Sequence, residues 1–195
     1  MTENNRSNEV KKLTMAAVCF ALCMVLPFLV GNNPPLAMAF SPMHIPVLIA
    51  GFAVGPFYAA IVGFFAPLVR HMIFGVPMVL YPVAIGMAFE LATYGIVSGV
   101  LYRLLPKKVV SIYISLIVAM FVGRIVFILA NVVMLGLSGR GFSWQELFGA
   151  AFVTALPGIV LHIVIVPIIV IALKRAGLLL NEGTFRFRKT DKAGA

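Results

Sequence analysis

Hydrophobic residues fill most of the chain in long blocks, and the breaks between the blocks are short and contain glycine, proline or charged residues. An α-helix rises about 1.5 Å per residue, so about 20 residues cross the hydrocarbon layer of a bilayer. The second block is too short to cross unless it is tilted or assisted by its neighbours. The pattern predicts six helical membrane segments, at residues 11–30, 43–54, 57–74, 81–105, 109–137 and 147–173.

The composition places the chain among membrane proteins. Of its 195 residues 62% are hydrophobic and 11% are charged, and the mean hydropathy is +1.09; a soluble domain carries about a quarter charged residues. We predict an all-α integral membrane fold in one domain, with an N-terminal tail at 1–10, a six-helix bundle at 11–178 and a basic tail at 179–195. No small-residue cleavage site follows the first block, so we interpret it as a retained helix.

The distribution of basic residues predicts the orientation. With six crossings, twelve of the fifteen Lys and Arg residues fall on the side of both termini, which the positive-inside rule assigns to the cytoplasm. Because these residues lie at the membrane margins, the net charge of +9 does not indicate a nucleic-acid partner. The twelve are Arg6, Lys11, Lys12, Arg103, Lys107, Lys108, Lys174, Arg175, Arg186, Arg188, Lys189 and Lys192; Arg70 and Arg140 lie on the other side, and Arg124 is inside a helix.

One carboxylate, Glu90, lies about three turns inside the fourth segment. An ionised group in a membrane costs at least a few kcal/mol unless it is paired or lines a wet cavity, which makes Glu90 a candidate for substrate binding. Arg124, in the fifth segment, can meet Glu90, and Asn131 shares the helical face of Arg124. Tyr94 lies one turn after Glu90 on the same face. These four residues predict a polar ligand site, and the alternative is a permanent structural brace with ordinary interhelical hydrogen bonds.

Four more polar residues are candidates of the same kind. Arg70 and His71 either contact the ligand or form an interfacial pair at a helix end. His44 follows a proline-rich loop and either caps a helix or contacts the ligand. His162 is interpreted as a hydrogen-bonded packing residue, with a proton relay as the alternative.

Several chemistries lack their motifs. The chain has no GxxxxGK[ST] phosphate loop, no HExxH zinc motif and no serine in a nucleophile elbow. The two cysteines, Cys19 and Cys23, are one turn apart on one helix and cannot supply a full metal site, so we predict neither a metal nor a cofactor. No inverted repeat is evident, which makes a self-sufficient carrier less attractive. We therefore predict a binding protein without enzymatic activity that needs an energising partner.

Two motifs carry a resemblance to a known family. The stretch HIPVLIAGFAVGPFYAAIVGF at 44–64 contains an IP…G…GP…G run, and Ala17 and Ala21 form an AxxxA pair on the first helix. With these motifs in this order and spacing, the chain resembles the substrate-binding S component of an energy-coupling-factor (ECF) vitamin transporter, over about residues 11–178. The glycines and proline of the run are Gly51, Gly55, Pro56 and Gly63.

The resemblance implies a function and partners. It implies that the chain captures a vitamin or precursor from outside, in a pocket of the outer half formed by the first long loop and helices 4 to 6. It also implies docking through Ala17 and Ala21 onto a transmembrane coupling subunit with two ATPases, and toppling of the S component in the bilayer. Pantothenate or a pyridoxine-type vitamer is slightly favoured; riboflavin, folate, niacin and hydroxymethylpyrimidine stay open. The competing hypotheses are a proton-coupled carrier that uses Glu90 and His162, and a small membrane enzyme.

Overall fold

The computed structural model describes residues 3–30, 39–75, 83–137 and 143–181, and every described regular element is helical. The proline-rich loop, the start of the fourth segment at Tyr81, Arg140 and the tail beyond residue 181 lie outside the described residues. The helices are α1 (Glu3–Val25) with a 3-10 extension (Leu26–Val30), α2 (His44–Ala53), α3 (Pro56–Phe74), α4 (Ile85–Leu104), α5 (Val109–Leu137), α6 (Trp144–Phe148) with a π-helical turn (Gly149–Val153), and α7 (Leu156–Arg175).

Two boundaries differ from the prediction. The first helix begins at Glu3 instead of residue 11, since no helix breaker stands in this polar stretch and Glu9 pairs with Lys12 at 2.6 Å. The sequence predicts one helix over 147–173 that bends at Pro157-Gly158; the structure has a full break there, because α6 and the π-helical turn precede a new helix at Leu156. Pro157 is consistent with the restart, because proline has no N–H to donate and is favoured in the first turn of a helix.

The lengths of the helices support the membrane assignment. In the described parts of the chain five helices are long and apolar enough to cross a bilayer, whereas α2, with ten residues, is a shorter apolar helix. Large apolar side chains such as Leu29, Phe121 and Ile168 are more than half exposed. A hydrophobic solvent around the bundle accounts for this exposure, because lipid tails solvate apolar side chains. The five long segments are Arg6–Leu29, Pro56–Phe74, Ile85–Leu104, Val109–Leu137 and Leu156–Arg175.

The helix α4 packs against α2, α3 and α5, and glycines allow its close approach to α3. A Cβ atom on Gly63 would lie 2.5 Å from the backbone carbonyl of Leu91, and one on Gly95 would lie 2.7 Å from the backbone of Ala59. Neither contact is sterically possible, so only glycine fits at both positions. Small residues at helix crossings are typical of membrane bundles, where van der Waals packing replaces the hydrophobic effect between helices.

The bundle has two ends, and each is defined by contacts between helix termini. At the distal end α1 and α3 finish while α2, α4 and α7 begin: Cys23 Sγ lies 3.6 Å from the Met43 carbonyl, and Gly158 packs on the backbone of Phe40. At the proximal end the Tyr58 hydroxyl donates to Glu9 at 2.7 Å, which joins the starts of α1 and α3. The backbone N–H of Leu180 donates to the Ala53 carbonyl, so the chain after α7 returns to the same proximal end.

A group of hydrogen bonds at this end, which we name the proximal latch, consists of Arg103, Asn181, Gly51 and Gly99. The buried amide of Asn181 donates to the carbonyls of Gly51 at 2.9 Å and Gly99 at 3.2 Å, and its Oδ1 accepts from Nε of Arg103. The neighbouring Gly55 has φ 102°, and a Cβ atom there would meet the Arg103 guanidinium. Its conformation and its missing side chain both suit the latch.

Candidate functional site

Glu90 lies at the centre of a buried polar cluster near the distal end. Its Oε1 accepts hydrogen bonds from Arg124 Nη1 at 2.9 Å and from the Tyr94 hydroxyl at 2.9 Å, and His44 Nε2 stands 3.6 Å from the same atom. The Glu90 side chain is 1% exposed. The arginine supplies the opposite charge that a carboxylate inside a membrane requires. The predicted meeting of Glu90 and Arg124 across α4 and α5 is therefore found in the structure.

His44 is held in this cluster by the turn that precedes α2. Ser41 has φ 44°, a left-handed conformation that costs a residue with a side chain about 1–2 kcal/mol. Its carbonyl accepts the backbone N–H of His44 at 3.0 Å and lies 3.3 Å from His162 Nε2. The two contacts hold the strained turn and with it the first residue of α2.

His162 joins the cluster from α7, about 9 Å along the helix axis from Leu156. Its ring stacks on that of His44 with centroids 5.8 Å apart and 18° between the planes, and the His44 ring lies 5.3 Å from that of Tyr94. We name the set of Glu90, Tyr94, Arg124, His44 and His162 the distal cluster.

Several polar atoms of the distal cluster have no hydrogen-bond partner among the described residues. They are both ring nitrogens of His44, Nε of Arg124 and Nδ1 of His162, and all are buried. More than nine in ten buried polar groups in proteins have a partner, because an unmade hydrogen bond costs about 1–3 kcal/mol. The concentration of four such atoms in one place makes the distal cluster the candidate binding site.

Asn131 lies one layer away, between α4 and α5. It is buried, and its Nδ2 donates to the Phe127 carbonyl of its own helix at 2.8 Å. A Cβ atom on Gly86 would lie 2.5 Å from Nδ2, so the amide packs directly on the α4 backbone. The seven residues between Asn131 and Arg124 correspond to about 10 Å along α5. Asn131 therefore lies closer to the distal end than the Glu90 carboxylate does.

Arg70 and His71 lie apart from these contacts, at the end of α3. Arg70 Nη1 donates to the Met24 carbonyl at 2.6 Å, and its guanidinium stands 5.0 Å and 5.4 Å from the rings of Phe28 and Phe74. The carbonyls in the last turn of a helix lack intrahelical donors, so Arg70 satisfies one of them and ties α1 to α3. His71 is partly exposed in the last turn of α3. These contacts favour the structural alternative for Arg70.

The sequence matches a family model over residues 11–170, and this family is described as the ECF transporter, substrate-specific component. The chain belongs to this family. Comparison with curated proteins and with solved structures gives no significant match. As an ECF S component, the chain is a multi-pass membrane subunit of a transporter, and the family is one of transport subunits, not enzymes. Membership also implies partnership with the membrane and ATPase subunits of such a transporter.

The AxxxA pair lies on the face of α1 that the rest of the bundle does not cover. Ala17 and Ala21 are both exposed on this helix, whereas Ala16, Cys19 and Cys23 on the opposite face are buried in the bundle. The S component thus presents its AxxxA pair away from its own core. The buried position of both cysteines agrees with their interpretation as packing residues.

Sequence reasoning missed Ser41 and undervalued His162. Ser41 is followed by proline, a pair that favours a turn, and it lies three residues before His44; this signal was available. No local signal connects His162 to His44, since the two residues are 118 positions apart and meet only because α7 packs against α2. Among the described residues no group of three or more His, Cys, Asp or Glu side chains forms a metal site.

Proposed function

We propose that this S component captures a water-soluble vitamin or vitamin precursor in the distal cluster and releases it into the cell when ATP-driven partners act on it. The observation that carries the proposal is a buried set of charged and polar groups whose hydrogen bonds are incomplete among the described residues. A merely structural cluster gains stability from completing its hydrogen bonds internally. An incomplete cluster has groups left for a ligand.

Charge supports an orientation with the proximal end in the cytoplasm. The described basic residues near this end greatly outnumber those at the distal end, as the positive-inside rule requires for a cytoplasmic face. The distal cluster then lies in the outer half of the membrane, the side from which an importer takes up its substrate. The described basic residues at the proximal end are Arg6, Lys11, Lys12, Arg103, Lys107, Lys108, Lys174 and Arg175.

The energising partners in this proposal are a transmembrane coupling subunit and two ATPases. The chain carries no phosphate-binding loop, so hydrolysis has to occur on another polypeptide. The exposed pair Ala17 and Ala21 gives a flat contact where a partner helix can approach closely. An apolar outer surface is also compatible with the proposed toppling of the subunit inside the bilayer.

The cluster residues proposed to bind the substrate are Glu90, Arg124, Tyr94 and His44, with Asn131 above them. Arg70 and His71 lie at the same distal end, but we propose no direct ligand contact for Arg70, because its guanidinium already donates to a carbonyl of α1. Pantothenate and pyridoxine-type vitamers carry several hydroxyl groups, which suit a cluster rich in imidazole and guanidinium groups. They are therefore the first ligands to test.

Two measurements on the complete chain test the function. The purified subunit is expected to bind one B vitamin tightly without ATP, which raises its melting temperature by linkage. Vesicles that also contain the coupling subunit and ATPases, with the cytoplasmic face inside, are expected to accumulate that vitamin only when ATP is enclosed in them. ATP-independent accumulation by the S component alone would contradict the proposal.

The competing function is a proton-coupled carrier, and one feature of the distal cluster favours it. His44 lies between Glu90 and His162, so three titratable side chains form a continuous series. Vesicles containing only this chain distinguish the two functions: the carrier predicts uptake driven by an imposed pH gradient, and the S component predicts none.

A further inference from the structure

The hydrogen-bonding roles in the distal cluster can be assigned atom by atom, beginning with His162. Its Nε2 lies 3.3 Å from the Ser41 carbonyl, and a carbonyl oxygen only accepts hydrogen bonds. Nε2 therefore carries the proton. In the neutral imidazole Nδ1 then has a lone pair, and this buried atom has no donor among the described residues.

His44 presents the same kind of atom. Its Nε2 faces the Glu90 carboxylate at 3.6 Å, which is too long for a good hydrogen bond but close enough to favour a proton on that nitrogen. In the neutral form of this imidazole, Nδ1 of His44 is thus a second buried acceptor without a donor among the described residues. The two imidazole rings are 5.8 Å apart, a separation shorter than a vitamin molecule.

Arg124 contributes the opposite role. Its Nη1 is committed to Glu90 at 2.9 Å, whereas its Nε is a buried donor with no acceptor among the described residues. Because Glu90 already balances the arginine charge, the cluster offers no uncompensated cation for an anionic ligand. The four open positions among the described residues are therefore two acceptors, Nδ1 of His44 and of His162, and two donors, Nε of Arg124 and Nε2 of His44.

We propose that the substrate is recognised through neutral hydroxyl or amino groups, which donate hydrogen bonds to Nδ1 of His44 and Nδ1 of His162, while an oxygen or ring nitrogen of the substrate accepts from Nε of Arg124. The inference rests on the proposed function and narrows its substrate class. A ligand whose only polar group is a carboxylate has no hydrogen to donate, so it would leave both Nδ1 lone pairs without a partner and bind poorly at this position.

Two substitutions at His162 separate recognition from folding. His162→Gln keeps a donor at the place of Nε2, so the bond to the Ser41 carbonyl is retained while the Nδ1 acceptor is lost. His162→Asn keeps an amide oxygen at the place of Nδ1 and loses the bond to Ser41. His44→Gln and His44→Asn are the corresponding pair at the second imidazole. We expect the Gln variants to lose affinity and the Asn variants to retain more of it.

The probes are matched vitamins with and without the hydroxyl groups: pyridoxine and 4-deoxypyridoxine, pantothenate and its analogue without the secondary hydroxyl, and riboflavin and lumiflavin. Affinity for the purified full chain is measured by calorimetry. An unpaired buried polar group costs about 1–3 kcal/mol, so the hydroxylated member of at least one pair should bind roughly 5- to 150-fold more tightly. This preference should shrink in His162→Gln, whose unliganded melting temperature serves as the folding control.

Other results would overturn the inference. These are equal affinity for both members of every pair, binding of no hydroxylated probe, or an undiminished preference in folded His162→Gln; His44→Gln replaces that variant if it does not fold. A different result would contradict the proposed function: vesicles reconstituted with the coupling subunit and ATPases would take up no B vitamin. If niacin were the only vitamin that is bound tightly and taken up with ATP, the inference about hydroxyl and amino groups would be wrong, and the proposed function would stand.

Discussion

The proximal latch and the distal cluster are buried polar groups at opposite ends of the same bundle, and they differ in how completely their hydrogen bonds are made. In the proximal latch Asn181 uses both amide hydrogens on the carbonyls of Gly51 and Gly99, and its oxygen accepts from Arg103. In the distal cluster the Glu90 carboxylate is well bonded, but Nδ1 of His44 and Nδ1 of His162 have no hydrogen-bond partner among the described residues. Asn181 and Glu90, the central residues of the two groups, are both almost fully buried, so their exposure does not explain the difference.

The contrast separates structural from functional polarity. A latch whose hydrogen bonds are complete has nothing to offer a ligand and contributes to the stability of the fold. The distal cluster combines a charge pair with open hydrogen-bonding positions, and a left-handed Ser41 holds one edge of it. Strain and unmade bonds in one place are typical of sites that a ligand completes. Mutations at the two ends should therefore differ in whether they change stability, binding or both.

The largest effect is expected when one member of the charge pair is removed. Arg124→Met or Glu90→Leu leaves a buried charge alone, and each should lower the free energy of unfolding by about 3–5 kcal/mol. Chemical denaturation in mixed micelles measures it.

The double variant Glu90→Leu with Arg124→Met is the control for this pair. It should recover most of the lost stability, because no charge then remains to be compensated, and it should still not bind the vitamin. Additive losses in the double variant would show that the two side chains do not act as a pair.

The proximal latch predicts a loss of stability without a loss of recognition. Asn181→Ala leaves two carbonyls and the Arg103 side chain without their partner, which should cost on the order of 2–4 kcal/mol. Vitamin affinity of the folded fraction should not change, since the latch is at the other end of the bundle. Leu178→Ala, at a neighbouring exposed residue, is the matched control and should cost little. A selective loss of affinity in Asn181→Ala would remove the distinction between the two ends.

A smaller effect is expected at the edge of the distal cluster. Tyr94→Phe removes one hydroxyl that donates to Glu90 at 2.9 Å, and a hydrogen bond to a charged group contributes about 1.5–3 kcal/mol. Thermal unfolding should show this loss, while Tyr113→Phe on the partly exposed face of α5 should leave stability near the wild-type value. Equal melting temperatures of the two variants would contradict a bonded role for Tyr94.

The depth of the polar residues along the membrane normal was predictable from the sequence. The way in which the helices pack side by side was not. Counting residues along α4 and α5 brings Glu90 and Arg124 to a similar depth, and the structure confirms their contact. The faces of the helices are hard to assign, because lipid and protein core both select apolar side chains. Phe121 is 58% exposed and Leu116 is fully buried on the same helix, yet both are strongly hydrophobic.

For the same reason the neighbours of α7 could not be derived from its sequence. His162 was correctly interpreted as a hydrogen-bonded residue, and its bond to Ser41 is present, but its place beside His44 depends on the packing of α7 on α2. Asn181 was counted only as part of a basic tail, because its two carbonyl partners become available through the crossing of α2 and α4. Such tertiary contacts leave no periodic signal in the chain.

The smallest change in stability is expected on a surface that touches neither polar group. Ala21→Trp adds a bulky side chain to the exposed face of α1, so the free energy of unfolding and the vitamin affinity should stay within about 0.5 kcal/mol of the wild type. ATP-dependent uptake with the coupling subunit should nevertheless fall strongly, because a bulky residue in a small-xxx-small face keeps a partner helix at a distance. Ile117→Trp, at an exposed position of α5, controls for bulk in the lipid. Equal uptake by the two variants would mean that α1 does not dock the partner, and a loss of affinity in Ala21→Trp would mean that recognition extends beyond the distal cluster.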